Sequence, residues 1–438
     1  MSSVAIPNPS VLSPHLGLTD TQLRASPVSI QIAQASGQVD GGSRLRVSQP
    51  EEVFESTQEY DEHPLIWEHV TAGSGTATYT QALNSTVLST AGTASGDRAF
   101  RGTKVYWRYI PGKAQAITMT GVLAYSGTPS GAAVARIGYF SDNNGVFFGR
   151  DATGYFVAIR SNTSGSVAET KVYQSSWDDP MDGTGDSGVT IDFTKSNIFT
   201  IDFLWLGSGQ VRFGFKYDSL RVTAHSIINE SQHSGPYMRT ANLPLRYEVF
   251  NSGGTGANIS MLATCACIES EGGLPEEPGL RFRAGTAGST VSCANTAALT
   301  PLFSIRLVDT FKSLTYRGHV HPLALHFLNT STNPGYFQVL WNTSLTGATF
   351  ANSADSTHSG VEYDTAATAV SGGVIIGSGY IAASGVGMGA VPETSATFQS
   401  KMILARTYAN TRDIITIAAR GIGGAATIAS TLEFLEQR

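Results

Sequence analysis

Hydrophobic and polar positions alternate in short runs along most of this chain, most clearly over residues 198–217. There Phe199, Ile201, Phe203 and Trp205 fall on one side of an extended segment, with Thr200 and Asp202 on the other. After a Gly-Ser-Gly-Gln connection, Val211, Phe213, Phe215 and Tyr217 resume the pattern while Arg212 and Lys216 face away. A period of two on both sides of a short Gly-bearing loop predicts an antiparallel hairpin with one buried face. Aromatic and β-branched residues fill the inward positions, where cross-strand pairs stabilise a sheet most. Arg212 is expected at the surface.

The same pattern predicts strands in PLIWEHV, VYWRYI (105–110) and AITMTGVLAY (116–125), then in YFVAIRS, VTAHSII, LPLRYEVF and ISMLATCACI. ARIGYF-SDNNG-VFFGRD predicts a second hairpin with Asn144 and Gly145 in its turn, where positive φ is needed. Further along come PLFSIRLV, LALHFL, YFQVLW, GVIIGSGYIA, KMILARTY, IITIAAR and ATIASTLEFL. No stretch has a long apolar stripe at helical spacing. The expected fold is all-β, with two β-sandwich domains of the jelly-roll or concanavalin-like kind and an extended N-terminal arm.

Breaks in the pattern divide the chain. Residues 1–55 carry scattered prolines, polar runs and no sustained period, so they are expected to dock on a partner rather than fold alone. The first sandwich is expected over 56–271, a linker over 272–290 (EGGLPEEPGLRFRAGTAGS lies across it), and a smaller second sandwich over 291–438. A chain of 438 residues is long for a single core, which supports the division.

Composition sharpens this picture. Glycine occurs 47 times, and only 14% of residues are charged where about 25% is usual, so tight turns and a surface polar through hydroxyls are expected. A net charge of −6 without a Lys/Arg cluster argues against nucleic-acid binding. The opening MSSVAIPNPS has neither the basic nor the apolar region of a secretory signal. The most apolar run, 374–383, is too short to span a bilayer. No membrane insertion is expected, and synthesis and assembly in a cytoplasm are.

Candidate chemistry is sparse. Cys265 and Cys267 at i, i+2 lack metal-site spacing, and with Cys293 they read as free thiols. His319 and His321 form an HxH pair on an extended segment, RGHVHPL, which could aim two imidazoles at one metal or merely mark a strand edge. Asp178, Asp179, Asp182 and Asp186 crowd SSWDDPMDGTGDSG. Of these, Asp182 and Asp186 are calcium candidates, although carboxylates in such loops are more often turn formers. Trp177 reads as a packing anchor rather than a sugar-stacking platform. No G-x-S-x-G, H-E-x-x-H or P-loop occurs, so neither an enzyme nor a cofactor is expected.

Several words of the sequence resemble a family of tailed-bacteriophage virion proteins, tail-associated or minor structural. They include SRLRVSQP, HPLIWE, YIPGKAQ, RIGYFSDNNGVFFG and the block SSWDDPMDGTGDSGVTIDFTKSNIFTIDFLWLGSGQVRFGF. NLPLRYEVFNSGGTGA, CIESEGG, RGHVHPLALHF, NTSLTGATF and VEYDTAATAVSGGVIIGSGYIA continue it, so the likeness runs from about residue 43 to the end. The chain departs locally, with SRLRVS for GRLRVS and no proline in the GTG-x-SG turn. The resemblance implies a structural virion protein, most naturally a tail adaptor, fibre or baseplate-peripheral subunit. A capsid decoration or head-fibre protein is the alternative, and a carbohydrate-binding or carbohydrate-degrading tail domain the second. It brings no catalytic residues. The expected partners are other virion proteins (tail, portal-proximal or capsid subunits), further copies of the chain in a homo-oligomer such as a trimer, and a host-surface glycan. Arg44, Leu45, Arg46 and Val47 are the expected docking residues of the arm.

Overall fold

A computed structural model describes residues 50–273, 279–352, 356–383 and 403–438. Arg44, Leu45, Arg46 and Val47 lie outside the described residues.

The first sandwich is made from β1 (Glu51–Ser56), β2 (Trp67–Ala72), β3 (Thr76–Thr80), β4 (Ser85–Ser89), β5 (Arg98–Thr103), β6 (Ala114–Ser126), β7 (Ala133–Phe140) and β8 (Gly145–Arg150). It continues through β9 (Tyr155–Ser161), β10 (Ala168–Tyr173), β11 (Asn197–Phe203), β12 (Val211–Tyr217), β13 (Leu220–Ile227), β14 (Leu245–Asn251) and β15 (Ser260–Glu271). One sheet runs β13-β12-β11-β6-β15-β4-β3, with β1 also on β15; the other runs β10-β9-β8-β7-β14-β5-β2. Phe199, Ile201 and Phe213 from the first sheet share one core with Ile137, Tyr139, Phe148 and Tyr247 from the second. Phe148 touches Phe199, Phe213 and Phe215 with ring centroids 5.2–5.4 Å apart, tying the sheets together through edge-on and tilted contacts.

The second sandwich begins at β16 (Leu280–Gly285), inside the expected linker, followed by β17 (Val291–Cys293), β18 (Thr300–Leu307), β19 (Thr310–Phe311), β20 (Leu314–Thr315) and β21 (His319–Asn329). Then come β22 (Gly335–Trp341), β23 (Ser344–Thr346), β24 (Ala351–Asn352), β25 (Val361–Asp364), β26 (Ala369–Ser371), β27 (Val374–Ile381), β28 (Ile414–Gly421) and β29 (Ala426–Gln437). β29 pairs with β16, β17 and β21; the facing sheet runs β24-β25-β18-β28-β22-β27. Alternate residues of each, among them Phe327, Phe434, Phe337 and Ile417, build a separate core. Likewise β1 lies within the expected arm, and its last residues pair antiparallel with β15. In both places charge or proline hid a strand whose partner is distant in sequence.

The leading hairpin forms with Phe199, Ile201 and Phe203 opposite Phe215, Phe213 and Val211. Its connection is longer than expected, covering 204–210, so Trp205 leaves the strand and meets Tyr109 edge-on at 5.9 Å. Tyr217 is exposed. The surface placement of Arg212 is corrected by the structure. It sits opposite Asp202 in register, both are buried, and its Nε donates to Gln210 Oε1 at 3.2 Å. The neighbouring Arg221 helps line the small space over this face, which closes over charges that one strand alone would leave in water.

The second hairpin also forms, but its turn works differently. Asn144 keeps negative φ and is buried, accepting the backbone N–H of Arg239 at 3.0 Å. Gly145 has the positive φ, 153°, and is also required by a close approach: a Cβ there would lie 2.1 Å from the Cβ of Phe140. VYWRYI keeps its alternation without a sheet partner beyond one bridge from Trp107 to Leu243. Val105, Trp107 and Tyr109 are buried.

Charge is scarce in the chain, and much of it is concentrated on the outer face of the β10-to-β2 sheet. Glu248 meets Arg98 at 2.6 Å, Arg136 at 3.0 Å and Arg246 at 3.1 Å, while Arg160 meets Glu169 at 2.7 Å. Arg246 lies 3.6 Å from the Phe100 ring centroid, and Arg160 and Lys171 stand over Phe147 and Phe156. Phe140, Phe147 and Phe156 form a small core of their own between these groups. Burial alone would push the Glu248 carboxyl up, but the surrounding guanidinium charges of Arg246, Arg98 and Arg136 hold it well below the usual carboxylate range.

Two substitutions check the register. Phe213→Ala removes a side chain with no exposure and is expected to cost about 3–5 kcal/mol in denaturant unfolding. Arg212→Ala should cost about 1–3 kcal/mol, because it removes a buried guanidinium that stands opposite the buried Asp202 and donates to Gln210. A loss for Arg212→Ala within the scatter of ordinary surface changes would show that this face is open to water.

Candidate functional site at the junction of the two sandwiches

The segment KMILARTY reads as a strand of the second sandwich, but 403–408 instead runs between the two cores. Ile403 and Ala405 pack into the first core and Leu404 into the second. A period of two sends alternate residues to opposite sides. Here each side belongs to a different domain. The segment ends in a bridge between Arg406 and Arg412. Arg406 is buried and donates to the carbonyl oxygens of Asp309 at 2.7 Å and Tyr316 at 3.2 Å, as well as to the Asp309 carboxylate.

Polar contacts complete the joint. The Tyr408 N–H donates to both carboxylate oxygens of Glu68, at 2.8 and 2.9 Å. The Tyr408 hydroxyl donates to Asp142 at 2.8 Å, and its ring stands edge-on to Phe100 at 5.2 Å. Arg317 lies 4.0 Å from the Tyr106 ring centroid and donates to the Arg406 carbonyl at 3.1 Å. A cavity of about 10 Å³ is lined by Lys104, Tyr106, Arg317, His319 and Leu404. It has room for about one water.

His319 belongs to this joint. Its Nε2 lies 2.7 Å from the Tyr106 carbonyl oxygen, so that nitrogen carries the proton and donates, and its ring stands edge-on to Trp107. The ring of His321 lies 6.0 Å away. Burial holds both imidazoles down at about 4, with the nearby His321 adding to the effect on His319. Among the described residues no three His, Cys, Asp or Glu side chains gather as a metal site. Through this bond to Tyr106, His319 makes a contact between the two sandwiches.

Asp182 and Asp186 are exposed. Asp182 accepts the N–H and hydroxyl of Thr184 at 3.0 and 2.6 Å. The carboxylate that organises the loop is the buried Asp179, which accepts the N–H groups of Met181 at 3.1 Å and Ser187 at 2.8 Å. The contacts to Thr184 and Met181 are of the Asx-turn type, while that to Ser187 closes the loop over eight residues. Trp177 is buried and donates to the Val172 carbonyl at 2.9 Å, as a packing anchor would. All three cysteines are free, and burial pushes the thiols up, to about 12 for Cys267 and about 11 for Cys293, which disfavours the reactive thiolate.

Beside the joint lies an open groove of about 610 Å³, lined by Glu62, Pro64, Trp67, Glu68, His69, Lys104 and Thr407 among others. It follows β2, the edge strand of its sheet. His69 lies between Glu62 at 3.4 Å and Arg101 at 2.8 Å, and burial together with the Arg101 charge lowers it to about 4. Glu68, raised by burial, has both oxygens committed to Tyr408. The groove's ionisable groups are tied to backbone and to one another, an arrangement suited to holding shape.

The described residues define an all-β protein built of antiparallel sheets packed as sandwiches. No family model and no curated protein matches the chain. Among solved structures it is similar to an endo-1,3-beta-glucanase from Streptomyces sioyaensis, at 10% identity and TM-score 0.34 over 51% of this chain and 97% of that one. A legume lectin-like domain from Entamoeba histolytica is similar at 7% identity and TM-score 0.30, over 50% of this chain and 98% of that one. The CBM2 module of the evolved Dit of Lactobacillus casei BL23 phage J-1 matches at 7% identity and TM-score 0.30, over 50% of this chain and 96% of that one. At these scores no residue or activity transfers.

The neutral His319 gives the joint a pH signature. Its folded value near 4 lies below the ordinary 6.5, so between those values the unfolded chain binds the proton that the fold excludes, and stability falls as pH falls. Glu68 and Asp413, raised by burial, act in the opposite direction, so the comparison must be made between variants. His319→Gln should reduce the stability lost between pH 7 and pH 5 by on the order of 1–2 kcal/mol, read from denaturation midpoints at each pH. Parallel curves for the two proteins would show that this imidazole is reached by solvent.

Proposed function

We propose that this chain is a structural subunit of a tailed-phage particle, placed in the tail or an appendage and attached through its N-terminal segment. The observation that carries the reading is where the family-like words fall in the fold. RGHVHPLALHF contains Arg317 and His319, which bind the first sandwich at Tyr106. NLPLRYEVF contains Arg246 and Glu248 of the buried ionic face. SSWDDPMDGTGDSG contains Trp177 and Asp179, which hold their loop together. The shared residues thus build joints and packing. A scaffold whose role is to hold two rigid bodies in place on a particle would share just such residues.

The segment before β1 suits attachment. It carries apolar anchors such as Val11, Leu12, Leu16, Ile30 and Ile32 without a period of its own, and such segments order on a partner by strand addition or in a groove. Deleting residues 1–42 leaves β1 and its pairing with β15 intact. The truncated protein should keep its thermal midpoint and fail to enter particles in a complementation assay. Entry at normal copy number would place the attachment surface in the sandwiches and defeat this reading. Full-length subunits found at icosahedral positions would favour the capsid-decoration alternative.

A further inference from the structure

The outer face of the β24-to-β27 sheet carries a feature that packing does not explain. In register across three strands, Arg420, Tyr336 and Tyr380 form one row, and Ala418, Gln338 and Ser378 the next. Tyr380 is 77% exposed. Its ring centroid lies 5.5 Å from that of Tyr336, with the planes 54° apart. Gln338 Nε2 donates to the Tyr336 hydroxyl at 3.0 Å, Ser378 hydrogen-bonds the same hydroxyl, and the Arg420 guanidinium stands over the Tyr336 ring at 5.5 Å. Arg420 also donates to the Thr296 carbonyl at 3.3 Å, which holds it in place, and no carboxylate is its partner among the described residues. The opposite face of the same strands is occupied by Phe337, Val339, Ile417 and Ala419 in the core. The tyrosines therefore sit on paired strands and point outward.

We infer that Tyr336 and Tyr380, flanked by Arg420, Gln338 and Ser378, form a binding platform for an oligosaccharide. The chemistry of the row matches that ligand. A pyranose ring has an apolar C–H face, which packs on an aromatic face, and a rim of hydroxyls, which need donors and acceptors close to the ring plane. Tyrosine offers both an apolar body and a polar tip at low conformational cost. Two adjacent rings tilted against each other suit two successive sugars turned relative to one another. Neutral amide and hydroxyl groups, with one arginine fork, supply the hydrogen bonds at the rim. The inference stands whether or not the chain belongs to a particle, since it rests on this row alone.

Affinity electrophoresis of the full-length chain tests it, using gels containing laminarin, xylan, glucomannan or purified bacterial cell-wall polysaccharide. Retardation is expected in at least one gel. Tyr380→Ala should weaken it at least tenfold at an unchanged thermal midpoint, and Tyr380→Trp should retain it. Gln338→Ala should weaken it several-fold, which a purely apolar contact would not show. Absence of retardation in every gel, or equal retardation of Tyr380→Ala, overturns the assignment. Val374 and Ile375, exposed on the same edge strand, would serve a protein partner instead. Sedimentation as an oligomer that Tyr380→Ala dissociates would show that the tyrosines are a subunit interface, and this too would overturn it.

Discussion

The arrangement of this protein depends on a few residues, 403–405, whose side chains are divided between two hydrophobic cores. Ile403 and Ala405 belong to the first and Leu404 to the second, so neither core is complete without backbone that the other also needs. Domains joined only by a linker move relative to each other by default. Here movement would pull apolar side chains out of one core or the other. The polar contacts around the segment are consequences of that constraint. Glu68 receives the Tyr408 N–H at the rim of the joint, and the Tyr106 carbonyl receives His319 in its buried interior, where an unpaired donor would be costly.

The buried ionic face of the first sandwich shows a second economy. A chain with so few charged residues would be expected to keep them in water, yet Glu248 is almost fully buried among arginines. A buried carboxylate with one partner gains little over an apolar pair, because desolvation offsets the Coulomb attraction. Glu248 has three partners, and their flat guanidinium groups also cover phenylalanine rings. The arginines thus act as apolar cover and counter-charge together. Tyr408 reaches this face from the second sandwich, so the network belongs to the joint as well.

Fold class was legible because period two survives almost everywhere, and in the leading hairpin alternation picks out Phe199, Ile201, Phe203, Val211, Phe213 and Phe215 as inward, missing only at the ends, where Trp205 leaves the strand and Tyr217 is exposed. Its failures share one cause. Alternation tells which residues share a face; it says nothing about what covers that face. Arg212 alternates with phenylalanines and so reads as solvent-facing, but Asp202 and the neighbouring strands bury it. Residues 280–285 read as a linker because they follow a Pro/Gly/Glu run, while their partner β29 lies at the far end of the sequence. KMILARTY shows the clean alternation of a strand, and that pattern cannot distinguish one core and solvent from two cores.

The surroundings of the site residues were hidden for the same reason. Spacing places His319 and His321 on one extended segment, but the partner that His319 meets is a carbonyl oxygen contributed by Tyr106, far away in the chain. The tyrosine platform was half visible. In YFQVLW the period of two already requires one of Tyr336 and Phe337 to point outward, and tyrosine is the cheaper one to expose. Tyr380 and Arg420 join it only through the pairing of β22 with β27 on one side and β28 on the other. A pattern of single exposed aromatics is ordinary on protein surfaces. It becomes a platform once sheet register places a second ring, an amide and a guanidinium beside the first. Such a cluster is a property of the pairing and could not have been found in any one of its strands.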